Sequence, residues 1–339
     1  MMRRFLSCVA LTLGLIASAQ AGPVLDRVKA TNNVRCGVGG SLAGFSLPDS
    51  QGEWRGLDVD YCRAIAAAVL GDPRRVTFVP VTLQTRFAAL SSGEIDVLAR
   101  DTVWTMSRDV NLGIVFVGAS FYTGTGVVVR RSARISRMDQ LGGATICASQ
   151  GGSNLPEVTD FLRARNLTVT PITFDRFATV LDAFLANRCD AVTAGAADLA
   201  AAISVQVTNP QDFVVLPEVL SRDPYGPAVA RGDMEWFSIA RWTLFALIEA
   251  EERGVTRANV RQVAATATDP ALRRLLGTED NLGSMLGLPR DWLVRVIESV
   301  GNYGEIYDRN FGPNTKINLP RGQNNVVSRG GLHYGMPFR

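Results

Sequence analysis

The chain has 339 residues, 47% of them hydrophobic and 20% charged, a balance too apolar for disorder and ordinary for a globular protein. Its 35 basic and 32 acidic residues leave a formal charge of +3, too small and too dispersed for nucleic-acid binding. A single histidine, His333, near the C-terminus, excludes most histidine-based catalysis and most zinc sites.

Residues 1–21 read as a secretory leader. Arg3 and Arg4 form a positive start, Phe5 to Ile16 an apolar stretch too short for a bilayer, and Ala19-Gln20-Ala21 a small-x-small cleavage site. Cys8 lies inside the apolar stretch, too far before that site to be a lipid-modified cysteine. Cleavage leaves about 318 residues, the size of one large or two medium domains, with a net charge of about +1. No later run of 18 apolar residues reads as a membrane span. Cys36, Cys62, Cys147 and Cys189 remain. An even number in an exported chain suggests disulfides, with three connectivities open; four buried free thiols are the alternative. No CxxC spacing points to a metal.

In chain order, Val34 to Val38 reads as a strand, followed by glycines and a hairpin-like segment over 45–54 carrying Pro48, Asp49 and Gly52. Asp58 is placed to cap a helix with Val59, Cys62, Ala66 and Val69 on one face, stopped by Gly71-Asp72-Pro73. Val76 to Val81 is a strand, Leu83 to Ser91 a helix, and Ile95 to Ala99 a strand. The same grammar restarts at a strand from Ala144 to Ala148. A Gly-rich turn, Gln150 to Asn154, leads into a helix from Pro156. A strand from Val169 to Phe174 follows, then a helix ending at Asn187 and a strand from Cys189 to Thr193. The two stretches 87–98 and 181–192 share one pattern, an apolar helix, a Gly or Asn stop, then a strand opening with Asp. This order predicts two similar α/β lobes. Phe116 to Arg131 and Val214 to Val229 read as extended crossings between them, so the chain returns to the first lobe with a helical stripe of Trp236, Ile239, Ala240, Thr243, Leu244, Leu247 and Ile248.

Few motifs carry chemistry. Gly37-Val38-Gly39-Gly40 lacks the third glycine of a dinucleotide fingerprint, because Leu42 stands there. There is no Walker A lysine, and His333 sits in a Gly- and Pro-rich tail away from any serine nucleophile motif. Arg108 follows a strand end, where open α/β sheets place ligands, and a guanidinium there suits a carboxylate. The alternative is a surface salt bridge. The Gln150–Asn154 turn offers backbone N–H donors to an anion, or is plain turn chemistry.

Several segments together carry a resemblance: Val34-Arg35-Cys36-Gly37-Val38, Gly56-Leu57-Asp58-Val59-Asp60-Tyr61-Cys62-Arg63-Ala64, Gly93-Glu94-Ile95-Asp96-Val97-Leu98, Trp104-Thr105-Met106-Ser107-Arg108-Asp109, Arg188-Cys189-Asp190 and Gly226-Pro227-Ala228-Val229. Arg241 to Ile248, Arg273 to Gly277 and Gly301 to Glu305 extend it over nearly all of the mature chain. The sequence resembles the periplasmic solute-binding proteins of ABC amino-acid importers, in particular their general L-amino acid-binding branch. The resemblance implies the type II two-lobed α/β fold, its lobes joined by two hinge strands, with the lobes spanning 22–122, 123–222 and a first-lobe return over 223–339. It implies disulfides Cys36–Cys62 and Cys147–Cys189, a pairing that also leaves a hinge between lobes free to move. It further implies a monomeric periplasmic protein without cofactor, which captures an amino acid or related small acid for an inner-membrane ABC permease.

Carried over by position, Arg108 holds the ligand α-carboxylate with Ser153 helping and Asn154 beside it. Asp101 and Val103 fall at first-lobe binding positions, and Leu83 and Leu42 at apolar contacts. The sequence departs from the family where an aspartate five residues beyond Asp190 would hold the α-ammonium. Gly195 stands there. Either the ligand is not an ordinary α-amino acid, or Asp198 substitutes from the next helical turn. A binding or sensing paralogue with an altered ligand, and a dehydratase-like cleft enzyme with Asp101 as its acid or base, are the competing readings.

Overall fold

A computed structural model describes residues 22–339; the leader lies outside the described residues. After a first helix, α1 (Pro23–Thr31), come β1 (Val34–Val38) and a short hairpin of β2 (Leu47–Pro48) and β3 (Trp54–Arg55). Helix α2 (Leu57–Leu70) is buried on most of its circumference. Gly56, with a φ of 134°, precedes it, and a side chain there would overlap the Phe45 carbonyl. Asp58 therefore does not cap this helix. It lies within the first turn, buried, with its carboxylate turned to the site loop. Strand β4 (Val76–Pro80), helix α3 (Arg86–Ser91), strand β5 (Val97–Leu98), helix α4 (Met106–Asn111) and strand β6 (Ile114–Phe116) complete the first passage. Helix α3 starts three residues later than its apolar pattern suggests. Thr82 and Thr85 exchange reciprocal side-chain-to-backbone bonds of 3.1 Å, which hold residues 82–85 as a turn.

Strand β7 (Phe121–Thr123) leads directly into β8 (Thr125–Arg130). The second α/β unit follows as β9 (Thr145–Ser149), α5 (Asn154–Arg163), β10 (Thr170–Phe174), α6 (Phe177–Leu185), β11 (Ala191–Gly195), α7 (Ala196–Gln206) and β12 (Phe213–Val215). Pro156 sits inside the first turn of α5, where its missing N–H costs nothing. Strand β13 (Asp223–Tyr225) then pairs antiparallel with β7, and β14 (Ala228–Ala230) follows. Each stretch read as one crossing is thus three strands, of which only the middle one joins the β7–β13 pair.

The two main sheets have matching plans. In the first the order is β4-β1-β5-β14-β6, and in the second β10-β9-β11-β8-β12. In each, three parallel strands are joined by an antiparallel one delivered by a crossing: β14 next to β5, and β8 next to β11. The fold is the two-lobed α/β type. Apolar groups cover both faces of each sheet. Cys36 bonds Cys62 from β1 to α2, and Cys147 bonds Cys189 from β9 to the turn before β11, with Cα separations of 6.2 and 5.7 Å. Each disulfide lies within a single lobe, one in each.

The chain then builds α8 (Met234–Glu252), α9 (Val260–Thr266), α10 (Pro270–Leu275), α11 (Trp292–Val300) and α12 (Tyr303–Phe311) against the first lobe. Every member of the Trp236–Ile248 stripe is buried. The last segment reaches back to β7. Asn324 accepts from the Tyr122 N–H at 2.6 Å and donates to the Tyr122 carbonyl at 2.9 Å, as a neighbouring strand would. His333 is not in a loose tail. It is 1% exposed, with its ring against Tyr122 and Tyr303.

Candidate functional site

The C-terminal ends of β5, β9 and β11 open onto a cleft with about 440 Å³ of space free of protein atoms. This is where the strand order of an open α/β sheet leaves a crevice. From the first lobe, the loop after β5 supplies Asp101, Thr102 and Val103. That loop is stitched to the β13 segment: Trp104 N–H donates to Pro224 O at 2.8 Å, and Gly226 N–H to Thr102 O at 3.0 Å. Asp101 takes the left-handed conformation, with a φ of 33°, and its N–H donates to Asp58 at 3.1 Å.

Arg108 lies on α4, whose cap Thr105 accepts from the Arg108 N–H. Its Nη1 donates to Val103 O at 2.8 Å, which aims the guanidinium along the cleft wall. It makes no ion pair with any described residue. Burial lowers its pKa, opposed by the charges of Asp223, Tyr225 and Glu157. A largely buried cation with free donors suits an incoming anion.

The second lobe adds Ser149, Gly152, Ser153 and Asn154 from the β9–α5 turn. The Ser153 hydroxyl is buried without a partner. Asn154 is already engaged, donating to Thr125 Oγ1 at 2.7 Å. Thr193, Ala194 and Asp198 come from β11 and α7. Asp198 accepts from the Tyr225 hydroxyl at 2.8 Å through Oδ2, while its Oδ1 is buried with no partner. Burial, then the Asp101 charge, pushes the Asp198 carboxyl up to about 8. The same two causes raise Asp58 well above the usual carboxylate range.

Arg108, Ser153, Asn154, Asp101, Val103, Leu83 and Asp198 thus meet at one cavity. Leu42 does not; it packs in the first-lobe core. Gly195 lies just behind the wall formed by Ala194 and Asp198. The residues alone gave no sign of Arg86, Thr193 or Tyr225. Arg86 opens α3 and reads as a surface residue, yet it is 1% exposed, with its guanidinium 4.2 Å over Phe87. It donates to Leu83 O and approaches Gly151 O of the second lobe at 3.5 Å. Burial, then Arg100 and Arg108, lowers its pKa to about 8. Another groove of about 470 Å³ lies between Trp242, Met285, Trp292 and Phe338, but it lacks the converging polar groups of a small-solute site.

The family model of bacterial extracellular solute-binding proteins, family 3, matches residues 34–254. The chain belongs to this family. Among relatives of this family-3 protein, the glutamate/glutamine/aspartate/asparagine-binding protein BztA of Rhodobacter capsulatus is 44% identical over 335 residues, covering 99% of this chain and 98% of that protein. The general L-amino acid-binding periplasmic protein AapJ of Rhizobium johnstonii is 42% identical over 332 residues, covering 97% of each. A solved structure of an ABC transporter periplasmic binding protein from Brucella ovis with glutathione bound is 42% identical, with a TM-score of 0.90 over 93% of this chain and 99% of that one. The similarity therefore runs well past residue 254, into the helices and tail that close on the first lobe.

Proposed function

We propose that the protein captures an amino acid or a close analogue between its lobes in the periplasm and delivers it to an inner-membrane ABC permease. Arg108 carries the reading, as a largely buried guanidinium in the interlobe cleft that makes no ion pair with any described residue. In this reading Arg108 grips the solute carboxylate, and the unpartnered Ser153 hydroxyl and the backbone of the Gln150–Asn154 turn close on it from the other lobe. Leu83 and Val103 form apolar wall, and Asp101 lies beside it. Asn154 holds the turn through Thr125 rather than reaching the solute. The names of BztA and AapJ support an amino-acid class of ligand.

The chain works as a monomer with lobes 22–122 and 123–222, the remainder returning to the first, and residues 1–21 removed on export. The β7–β13 pair is the hinge, and closure is a population shift driven by contacts the solute makes with both lobes. Thermal shift of the protein lacking residues 1–21, against amino acids, amines and organic acids, tests this. A true ligand at a hundred times its Kd stabilises by about 2.7 kcal/mol. No shift with any amino acid, or chemical turnover of the ligand that shifts, contradicts it.

A further inference from the structure

We infer that Asp198 holds the solute's ammonium group, from one turn beyond the position the family uses, and that Gly195 is the space that lets it do so. The inference rests on the amino-acid reading of the cleft. Three observations meet here. Asp198 is 5% exposed and lines the cavity, and its Oδ1 has no partner. A buried carboxylate oxygen with nothing to bond is costly unless a donor arrives. The Tyr225 hydroxyl at 2.8 Å occupies the other oxygen, so Oδ1 is the acceptor of this cavity-lining carboxyl that is left without a donor. Finally, a Cβ at Gly195 would lie 2.7 Å from Asp198 Oδ2 and overlap the Tyr225 hydroxyl. In this arrangement the Tyr225 hydroxyl that holds Asp198 leaves no room for a side chain at 195.

Asp101, the other acidic residue of the cavity, is already engaged. Arg100 lies 3.6 Å from its carboxylate, and its backbone N–H is given to Asp58. Nor do these acids form a metal cage, since no group of three His, Cys, Asp or Glu among the described residues is placed to hold an ion.

The surroundings of Asp198 then dictate a proton exchange. Facing it are Asp101 and Arg100 from the loop after β5, Asp58 from α2 and Tyr225 from β13. Burial and the Asp101 charge keep Asp198 protonated at neutral pH in the empty cleft. An ammonium group binds the ionised form, so capture moves the carboxyl proton to water and leaves an ammonium–carboxylate pair. Affinity rises with pH until Asp198 is ionised without the solute, at about pH 8.

Isothermal titration in two buffers of different ionisation enthalpy counts that proton. The probes are L-glutamine, L-leucine and L-arginine, with glutarate as a carboxylate lacking the amine. At pH 6.5 wild type is expected to release about one proton per L-amino acid bound, with affinity rising about tenfold per pH unit toward pH 7.5. Asp198→Asn should lose the proton and bind at least about a hundredfold more weakly at pH 8.5.

The wild-type count needs no variant, and capture of an L-amino acid at pH 6.5 without proton release overturns the inference. So does unchanged affinity in Asp198→Asn, or the same losses in Asp101→Asn instead. Binding of glutarate with refusal of all three amino acids overturns the ammonium site and leaves the Arg108 clamp standing. Binding of none of the four overturns both.

Discussion

The ligand-free protein should lose stability as pH rises through neutrality, and Asp198→Asn should remove a defined part of that loss. In the fold the Asp198 carboxyl is pushed up to about 8 by burial and the Asp101 charge, against about 3.9 in an unfolded chain. Between those values the folded state holds a proton that the unfolded state has given up. The stabilising contribution is therefore complete below about pH 4 and is lost as pH climbs to 8, at about 1.4 kcal/mol per pH unit. Asp58, raised by the same causes, slopes the same way. His333 runs opposite. Burial, then Arg321, lowers it to about 3, so its effect raises stability up to the unfolded histidine value of about 6.5 and is flat above. It is the only histidine, so above pH 6.5 no other imidazole masks the acids. From pH 6.5 to 8 the Asp198 share amounts to roughly 2 kcal/mol. Urea titrations of the empty protein at pH 6.5 and 8, with disulfides intact, measure it. The wild-type midpoint should fall over this window and the Asp198→Asn midpoint should fall less, by that amount. Equal slopes in the two proteins, or a wild-type midpoint that holds or rises, refute the placement of a protonated carboxyl at 198.

Two further outcomes follow from the fold. Non-reducing peptide mapping should find Cys36–Cys62 and Cys147–Cys189, and replacing both cysteines of the second pair by serine should cost about 4 kcal/mol in denaturant titrations, from the chain entropy of a closed loop of 42 residues; free thiols at these positions contradict the pairing. Asn324→Ala removes both bonds to Tyr122 and leaves a part-buried N–H and carbonyl of β7 unmet. It should cost about 2–4 kcal/mol in urea, and a loss below about 0.5 kcal/mol would show that the tail does not brace this strand.

Much of the fold is legible because its signals are local. The apolar periods of α2, α6 and α8, and the strands opening at Val34, Val76 and Thr170, follow from residue patterns a few positions long. Boundaries slip where side chains bond the backbone, as at Thr82 and Thr85, or where a glycine sets the chain direction, as at Gly56. In the site, Arg108 and Asp198 are visible because strand ends and the resemblance point to them. Tyr225 is not, because it arrives on the second crossing and meets Asp198 only through the β7–β13 pair. Arg86 is hidden for a different reason. It reads as the polar start of a helix, and the groups that surround it, the Leu83 carbonyl, the Phe87 ring and Gly151 of the second lobe, meet only in the fold. Asn324 lies 202 positions from the strand it holds, beyond any local pattern.

Calorimetric titration of Arg108→Ala beside wild type, using the L-amino acid that gives the largest thermal shift, bears most directly on what the cleft is for. Charge-assisted bonds to a buried carboxylate contribute about 1.5–3 kcal/mol each. Loss of two should weaken binding by roughly a hundredfold to twenty-thousandfold. The empty protein should keep nearly its full stability, because Arg108 has no protein ion pair to lose. Wild-type affinity in Arg108→Ala would contradict the carboxylate clamp, and with it the capture of an amino acid between these lobes.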